Sequence, residues 1–323
     1  MGSVDVDVHL TQEDLRTQLE EDVRVGLASQ PKSLPPVWFY DERGSRLFED
    51  ITELPEYYPT RAERRLLELH SGSIARLSGA ESLIELGAGA CDKTRVLLEG
   101  LHQRGTLERY VPFDVSLTTA QAAERLADDY AELSFLTVIG DFHRHLEALP
   151  MRGRSLVAFL GGTIGNLRPE QREKFLFDLA ASMDPEGHLL LGTDMVKDRD
   201  RLVAAYDDAA GITAAFNRNV LEVLNRELEA DFDPSRFEHV AVWNESEAWI
   251  EMRLRASAAV EAEIGALGMQ VAFEEGEDLL TEISAKFTPA GVRDELGDAG
   301  FVVDEVWGEE EGEFLLTLAH PAG

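Results

Sequence analysis

Apolar positions along this chain repeat first with a helical period, then as short strand-like runs, then again as helices and strands. Leu15, Leu19, Val23 and Leu27 recur four apart, so residues 11 to 28 are expected to form an amphipathic helix capped by Thr11 and packed as a lid or flank. Pro31 to Tyr40, PKSLPPVWFY, follows; its prolines bar a regular helix, and its aromatics are too many for a solvated linker. Helical spacing returns over Gly44 to Leu54 and over Arg61 to Leu77. Between them lies Pro55 to Thr60, PEYYPT, where Tyr57 and Tyr58 either pack or offer hydroxyls on rigid apolar bodies.

From Ser82 the pattern changes to apolar runs that end in acids or glycines. SLIELGAGAC at Ser82 to Cys91 reads as a buried parallel strand, a glycine turn and, from Asp92 to Leu101, a helix. RYVPFDV at Arg109 to Val115, Leu136 to Gly140, Ser155 to Leu160 and His188 to Thr193 supply further strands, alternating with helices over Leu117 to Leu133 and Pro169 to Ala181. This alternation predicts an α/β fold with a parallel, doubly wound, Rossmann-like sheet. After Asp194 the chain turns helical through Asp200 to Ala210 and Ile212 to Leu228, then gives antiparallel strands at Phe237 to Ser246 and Glu247 to Ser257. That stretch is too long for a crossover and predicts an inserted α+β domain. Gly276 to Phe287 leads back, Pro289 to Ala299 is helical, and Phe301 to Trp307 with Phe314 to His320 add an antiparallel edge. The expected division is residues 61–196 with 287–323 as one domain, and 1–60 with 197–286 as the other.

Candidate chemistry collects at the strand ends. Gly87 and Gly89 let a ligand approach the backbone, although the third glycine of a dinucleotide fingerprint is replaced by Ala90-Cys91. Asp114, 29 residues beyond Glu85, stands where an acid meets ribose hydroxyls, though farther along than the usual spacing of about 20. Asp141-Phe142 offers an acceptor and a flat apolar face suited to adenine, and Gly161 to Asn166, GGTIGN, exposes backbone donors beside an amide. His143 and His145 lack partners at metal-ligand spacing and read as solvated, so no metal is expected. There is no phosphate loop of the G-x-x-x-x-G-K-[ST] type and no G-x-S-x-G elbow.

Composition narrows the partners. Sixty-two Asp and Glu against 30 Lys and Arg give a formal net charge of -32, which repels nucleic acid and anionic membranes. Salt adaptation and a solubilising surface both account for that acidity. The single cysteine, Cys91, rules out an internal disulfide and reads as a small filler in the glycine turn. No run of about 18 apolar residues and no apolar signal core occurs, so a soluble cytoplasmic protein is expected, acting as a monomer.

Taken in order, Glu-Leu-Gly-Ala-Gly, Asp114, Asp141-Phe142 and the Gly161 loop resemble the class I methyltransferase fold that binds S-adenosylmethionine. WFYD at Trp38 to Asp41, LPEYYPTRAE at Leu54 to Glu63, FLGGTIGN at Phe159 to Asn166, LLGTDMVKD at Leu190 to Asp198, YDDAAGITAAFNRN at Tyr206 to Asn219 and TEISAKF at Thr281 to Phe287 resemble, more narrowly, the bacterial histidine-specific N-alpha-methyltransferases of ergothioneine biosynthesis. The similarity runs nearly end to end. It implies trimethylation of the alpha-amino group of L-histidine to hercynine, with residues 61–196 and 287–323 holding the cofactor and the rest the substrate. It implies S-adenosylmethionine against Tyr40, Gly87, Lys93, Asp114, Asp141 and Phe142, and L-histidine against Tyr57, Gly161, Asn166, Tyr206, Glu282, Ile283 and Ser284. Asn166 and Gly161 would align the amine, Asn166 and Tyr206 would donate to the carboxylate, and Glu282 with Ser284 would read the imidazole from alternate positions of one extended segment. Tyr40, Phe48 and Tyr57 would face the growing trimethylammonium. Two departures stand out: GAGACDKT where a more hydroxylated turn is expected, and Gly162 where a serine commonly follows the first glycine.

The rival readings are an N-methyltransferase for another free amino acid and a non-catalytic S-adenosylmethionine-binding protein. A nicotinamide dehydrogenase is disfavoured by the missing third glycine.

Overall fold

The structure is a computed structural model that describes residues 4–89, 94–116, 118–142, 144–308 and 312–323. In chain order its elements are β1 (Val4–Val8), α1 (Gln12–Ala28), β2 (Lys32–Ser33), α2 (Glu42–Thr52), α3 (Pro59–Ser78), β3 (Ser82–Leu86), α4 (Thr94–Arg104), β4 (Arg109–Asp114), α5 (Thr118–Ala127) and β5 (Ser134–Ile139). Then come β6 (Ser155–Phe159), α6 (Pro169–Ser182), β7 (His188–Asp194), α7 (Arg199–Tyr206), α8 (Ile212–Leu228), β8 (Phe237–Asn244) and β9 (Trp249–Ala256). The chain ends with β10 (Val260–Ile264), β11 (Met269–Phe273), β12 (Asp278–Ala285), α9 (Pro289–Asp298), β13 (Phe301–Gly308) and β14 (Phe314–Pro321). Two compact units result: Met1–Leu10, Pro59–Val196 and Lys286–Gly323 form the first, Thr11–Tyr58 and Lys197–Ala285 the second.

The first unit is built on an 8-stranded sheet in the order β1-β5-β4-β3-β6-β7-β14-β13. Strands β1, β5, β4, β3, β6 and β7 run parallel, and β14 and β13 close the edge antiparallel. The parallel strands could be read from sequence because they are covered on both faces: every residue of β6 is buried, as are Leu83, Ile84 and Leu86 of β3. The chain runs from β3 outward to β5 on one side and resumes with β6 on the other. The carboxyl ends of β3 and β6 therefore flank the point where strand order reverses, the position at which open α/β sheets bind ligands.

The second unit packs α1, α2, α7 and α8 with a 4-stranded sheet, β2-β12-β9-β8, and a β10–β11 hairpin. Its core joins Phe39, Phe216, Val220, Leu221 and Leu224 to Phe237, Ile250, Leu254 and Leu279. Helix α1, expected as a lid or flank, is part of that core through Leu19, Val23 and Leu27. Its start is a capping box in which Thr11 and Asp14 each accept the other's backbone N–H. Gly26 allows close approach to β2, since a Cβ there would lie 2.0 Å from the Ser33 carbonyl oxygen.

Several expectations are corrected. The charged amino terminus does not belong wholly with the second unit: Val4–Val8 pairs in parallel with Phe135–Ile139 as an edge strand of the large sheet. Its alternation of valine and aspartate fits an edge, where Val6 and Val8 remain about half exposed. PKSLPPVWFY, by contrast, forms no regular helix and buries Trp38 and Phe39 as expected: it holds β2 and a 3-10 turn, Pro36–Phe39, in which Pro36 takes a first helical position where no N–H is needed. The helix expected from 117 to 133 ends at Ala127. The β10–β11 hairpin, Val260–Ile264 with Met269–Phe273, was not foreseen.

Candidate active site

At the end of β3 the backbone turns through Gly87 and Gly89 in the left-handed region, at φ 70 and 52 degrees, which glycine adopts without steric cost. Among the described residues, no atom beyond the glycines' own chain neighbours lies within 4 Å of where a Cβ would stand at either position, which leaves this backbone open to a ligand. Beneath the turn, Glu85 is buried and accepts from Tyr110 Oη at 2.7 Å and from Thr94 Oγ1, tying β3 to β4 and to the first residue of α4. Asp114, at the end of β4, accepts the Gly89 N–H at 2.9 Å through Oδ2 and the Ser116 N–H at 2.9 Å through Oδ1. Burial holds this carboxyl above its ordinary range, against the lowering effect of the amides of Gly89, Ser116 and Val115. Asp141 follows β5 and is buried, while Phe142 packs edge-on against Phe159 and Phe175 with ring centroids 5.4 Å from each. His145 is not a solvated side chain: its Nδ1 accepts the Asp141 N–H at 3.0 Å and so closes this turn.

The loop after β6 carries consecutive left-handed glycines, Gly161 at φ 77 and Gly162 at φ 68 degrees. That backbone explains Gly162 where a serine was expected, since an L side chain there is strained whatever the space. The loop ends in a 3-10 turn, Thr163–Asn166. Glu63 on α3, fully buried, accepts the Gly161 N–H at 2.7 Å through Oε1. Its carboxylate fits only because β7 has a glycine: a Cβ at Gly192 would lie 2.3 Å from Glu63 Oε1. On the far side of the loop, buried Arg172 donates to the Leu167 carbonyl at 2.8 Å and binds both oxygens of Glu295 at 2.8 and 3.0 Å. Where the chain leaves and re-enters this unit, Lys286 Nζ meets Asp194 Oδ2 at 2.8 Å, both buried, and Phe287 donates its N–H to the Asp194 carbonyl.

In the second unit, aromatic rings form a continuous edge-to-face series. Tyr40 and Phe48 lie 5.6 Å apart, Phe48 and Tyr57 6.1 Å, and Tyr57 and Tyr206 6.2 Å. Tyr206 Oη then shares a hydrogen bond with Ser284 Oγ at 2.7 Å, both buried. Glu282 and Ser284 follow the β-bulge of β12, opposite Met252 and Ile250, with no further irregularity between them, so the two share a face of the strand; Ile283, buried, takes the other.

A polar network fixes this arrangement. At the bulge, Thr281 Oγ1 lies 2.7 Å from Asn217 Oδ1, and Asn217 Nδ2 donates to His239 Nδ1 at 2.8 Å. His239 thereby carries its proton on Nε2, which donates to the Tyr206 carbonyl at 2.7 Å. Burial lowers the His239 pKa from the ordinary imidazole value.

Residues 19–321 match the family described as "Histidine-specific methyltransferase, SAM-dependent". The chain belongs to that family. Family members are methyltransferases whose cofactor is S-adenosylmethionine, and this chain is one of them. It is 51% identical over 317 residues to the histidine N-alpha-methyltransferase of Mycobacterium tuberculosis (strain CDC 1551 / Oshkosh), covering 98% of this chain and 99% of that protein. It is 50% identical over 312 residues to the enzyme of the same name from Mycolicibacterium smegmatis (strain ATCC 700084 / mc(2)155), covering 96% and 97%. Among solved structures, an S-adenosylmethionine-dependent methyltransferase from Clostridium acetobutylicum ATCC 824 superposes with a TM-score of 0.50 at 10% identity, over 86% of this chain and 99% of that one, which bears on the fold alone.

The cofactor fits the first unit's strand ends. Gly87 and Gly89 leave the backbone open, and Asp114 and Asp141 carry carboxylates of the kind that can accept from hydroxyls and an amine. The structure thus gathers Gly87, Asp114, Asp141 and Phe142 on consecutive strand ends and adds Gly161 and Asn166 on the next. It gathers Tyr40, Tyr57, Tyr206, Glu282, Ile283 and Ser284 in the second unit. Lys93, with Ala90, Cys91 and His143, lies outside the described residues. Sequence reasoning missed Glu63 and His239, which hold the backbone of Gly161 and Tyr206, and Arg172 and Asn217, which tie Leu167 to Glu295 and His239 to Thr281. Glu63 and Asn217 did sit inside the blocks that carried the resemblance.

Proposed function

We propose that this chain trimethylates the alpha-amino group of free L-histidine, giving hercynine, the first step of ergothioneine biosynthesis. The observation that carries the reading is the family match over residues 19–321, joined by two near-full-length relatives named histidine N-alpha-methyltransferase. When bound, S-adenosylmethionine supplies an already activated methyl group, so the protein need furnish alignment and no covalent nucleophile. We assign Tyr40, Gly87, Lys93, Asp114, Asp141 and Phe142 to the cofactor, and Tyr57, Gly161, Asn166, Tyr206, Glu282, Ile283 and Ser284 to L-histidine. Glu282 accepts an imidazole N–H, and Ser284, already hydrogen-bonded to Tyr206, serves the other ring nitrogen. Asn166 and Tyr206 donate to the carboxylate. The linked rings of Tyr40, Phe48 and Tyr57 offer apolar faces to the product cation.

This reading includes a small-molecule acceptor and excludes nucleic acid and membrane, in keeping with a formal net charge of -32. No helix among the described residues is long and apolar enough to cross a membrane, and we place the enzyme in the cytoplasm as a monomer. The test is substrate preference in a Glu282→Ala variant. Discrimination between histidine and its aromatic analogues should collapse while S-adenosylhomocysteine still binds; unchanged preference overturns the imidazole assignment, and methylation of a different amino acid by the parent enzyme overturns histidine as acceptor.

A further inference from the structure

At the amino end of β7, opposite the end that carries Asp194, two imidazoles and a carboxylate converge from three adjacent strands. One step beyond the ladder pair Ala319 with Leu189, His320 stands beside His188 with ring centroids 6.0 Å apart. On the other side of β14, His320 is paired with Val302, and the register of β13 slips between Val303 and Glu305. Asp304 is therefore the extra residue of a bulge, a device that redirects a side chain. Its two carboxylate oxygens each lie 2.9 Å from His320 Nδ1, and Oδ2 lies 3.7 Å from His188 Nε2. One ligand-capable atom from each of the three residues falls within 4.8 Å of the other two.

We propose that His188, Asp304 and His320 form a divalent transition-metal site of the zinc class, with water completing the coordination. Ligand atoms around a tetrahedral ion with bonds of about 2.0–2.1 Å stand about 3.3 Å apart. The observed 2.9 and 3.7 Å bracket that spacing. Two imidazoles and one carboxylate are a borderline donor set that favours zinc over calcium or magnesium, which prefer all-oxygen ligands. An ordinary Asp304–His320 ion pair accounts for one contact but gives no part to His188, whose Nε2 faces the same carboxylate from beyond hydrogen-bond reach. The three side chains are 17%, 27% and 35% exposed, so an ion has access from solvent. Bound there, the metal links β7 to β13 across β14 and staples the antiparallel margin of the sheet. It lies about 20 Å along β7 from Asp194, judged from a strand rise of about 3.3 Å per residue, and takes no part in methyl transfer.

The test uses the full chain, stripped with chelator and desalted, titrated with zinc chloride calorimetrically in excess magnesium so that the many surface carboxylates are already occupied. The proposal predicts one saturable equivalent, visible absorption bands of tetrahedral cobalt when cobalt(II) replaces zinc, and a melting temperature that rises with zinc. His188→Gln and His320→Gln should each weaken zinc binding at least about tenfold while leaving methyltransferase activity within about twofold of the parent. Zinc uptake that is non-saturable, as tight in either variant as in the parent, or free of tetrahedral cobalt bands overturns the site, whatever the activity.

Discussion

Replacing Glu63 with alanine removes the acceptor that holds the Gly161 N–H at 2.7 Å. A hydrogen bond from an amide to a charged, buried acceptor contributes about 1.5–3 kcal/mol. Gly161 opens the loop that ends at Asn166; glycine reaches its left-handed φ of 77 degrees without strain, so the Glu63 contact serves to select that conformation among the many open to glycine. If the whole of that contribution serves to hold the loop in its productive form, kcat/KM falls by about 10- to 150-fold, at about 1.36 kcal/mol per factor of ten. Glu63→Gln retains a neutral acceptor and should lose less. An independent perturbation reaches the same contact from the opposite side: Gly192→Ala puts a Cβ 2.3 Å from Glu63 Oε1 and 3.1 Å from Phe314 Cε1, so the carboxylate must shift. Steady-state kinetics, with S-adenosylhomocysteine affinity measured in parallel, separate loop positioning from loss of the cofactor site. Glu63→Ala and Gly192→Ala should both lower kcat/KM while retaining cofactor binding. A kcat/KM within about twofold of the parent in Glu63→Ala would refute the positioning role.

Lys286→Met leaves the Asp194 carboxylate buried without its 2.8 Å partner, and should cost about 3–5 kcal/mol in denaturant unfolding, much of it regained in Asp194→Asn/Lys286→Met. Because burial raises the Asp114 pKa, the proton is held to higher pH in the folded chain than in the unfolded one, so protonation favours folding but removes the anion that we assign to the cofactor's hydroxyls. S-adenosylhomocysteine affinity should therefore weaken as pH falls, starting above the ordinary aspartate range near 4, and Asp114→Asn should flatten that profile. The lowered pKa of His239 has the opposite consequence for stability: it is fully present above the ordinary imidazole value near 6.5 and declines as pH drops below it. Thermal unfolding against pH should show that decline, and His239→Gln should diminish it.

The large sheet was legible because strands covered on both faces read as unbroken apolar runs, and terminal acids and glycines marked where they end. Gly87, Asp114, Asp141-Phe142 and Gly161 do stand at or just beyond the carboxyl ends of β3, β4, β5 and β6, which is what made them candidates. Strand β1 escaped because an edge strand that alternates valine with aspartate resembles a solvated segment until its partner, β5, is known. The hairpin β10–β11 escaped because its strands, VEAEI and MQVAF, are only five residues each and offer little pattern beside the longer β8 and β9. Glu63 could not be told from any other acid among 62, since nothing in a helical period says which side chain reaches a strand-end amide 98 residues away. The Asn217, His239 and Thr281 network and the cluster of His188, Asp304 and His320 likewise join residues whose spacing in sequence carries no signal.

Mass spectrometry of the purified enzyme incubated with S-adenosylmethionine and a panel of free amino acids tests the central claim most directly. The account predicts a histidine product heavier by three methyl groups, all on the alpha nitrogen, with the imidazole unmodified and S-adenosylhomocysteine formed in step. Methylation confined to another amino acid, or to the imidazole ring, would contradict it.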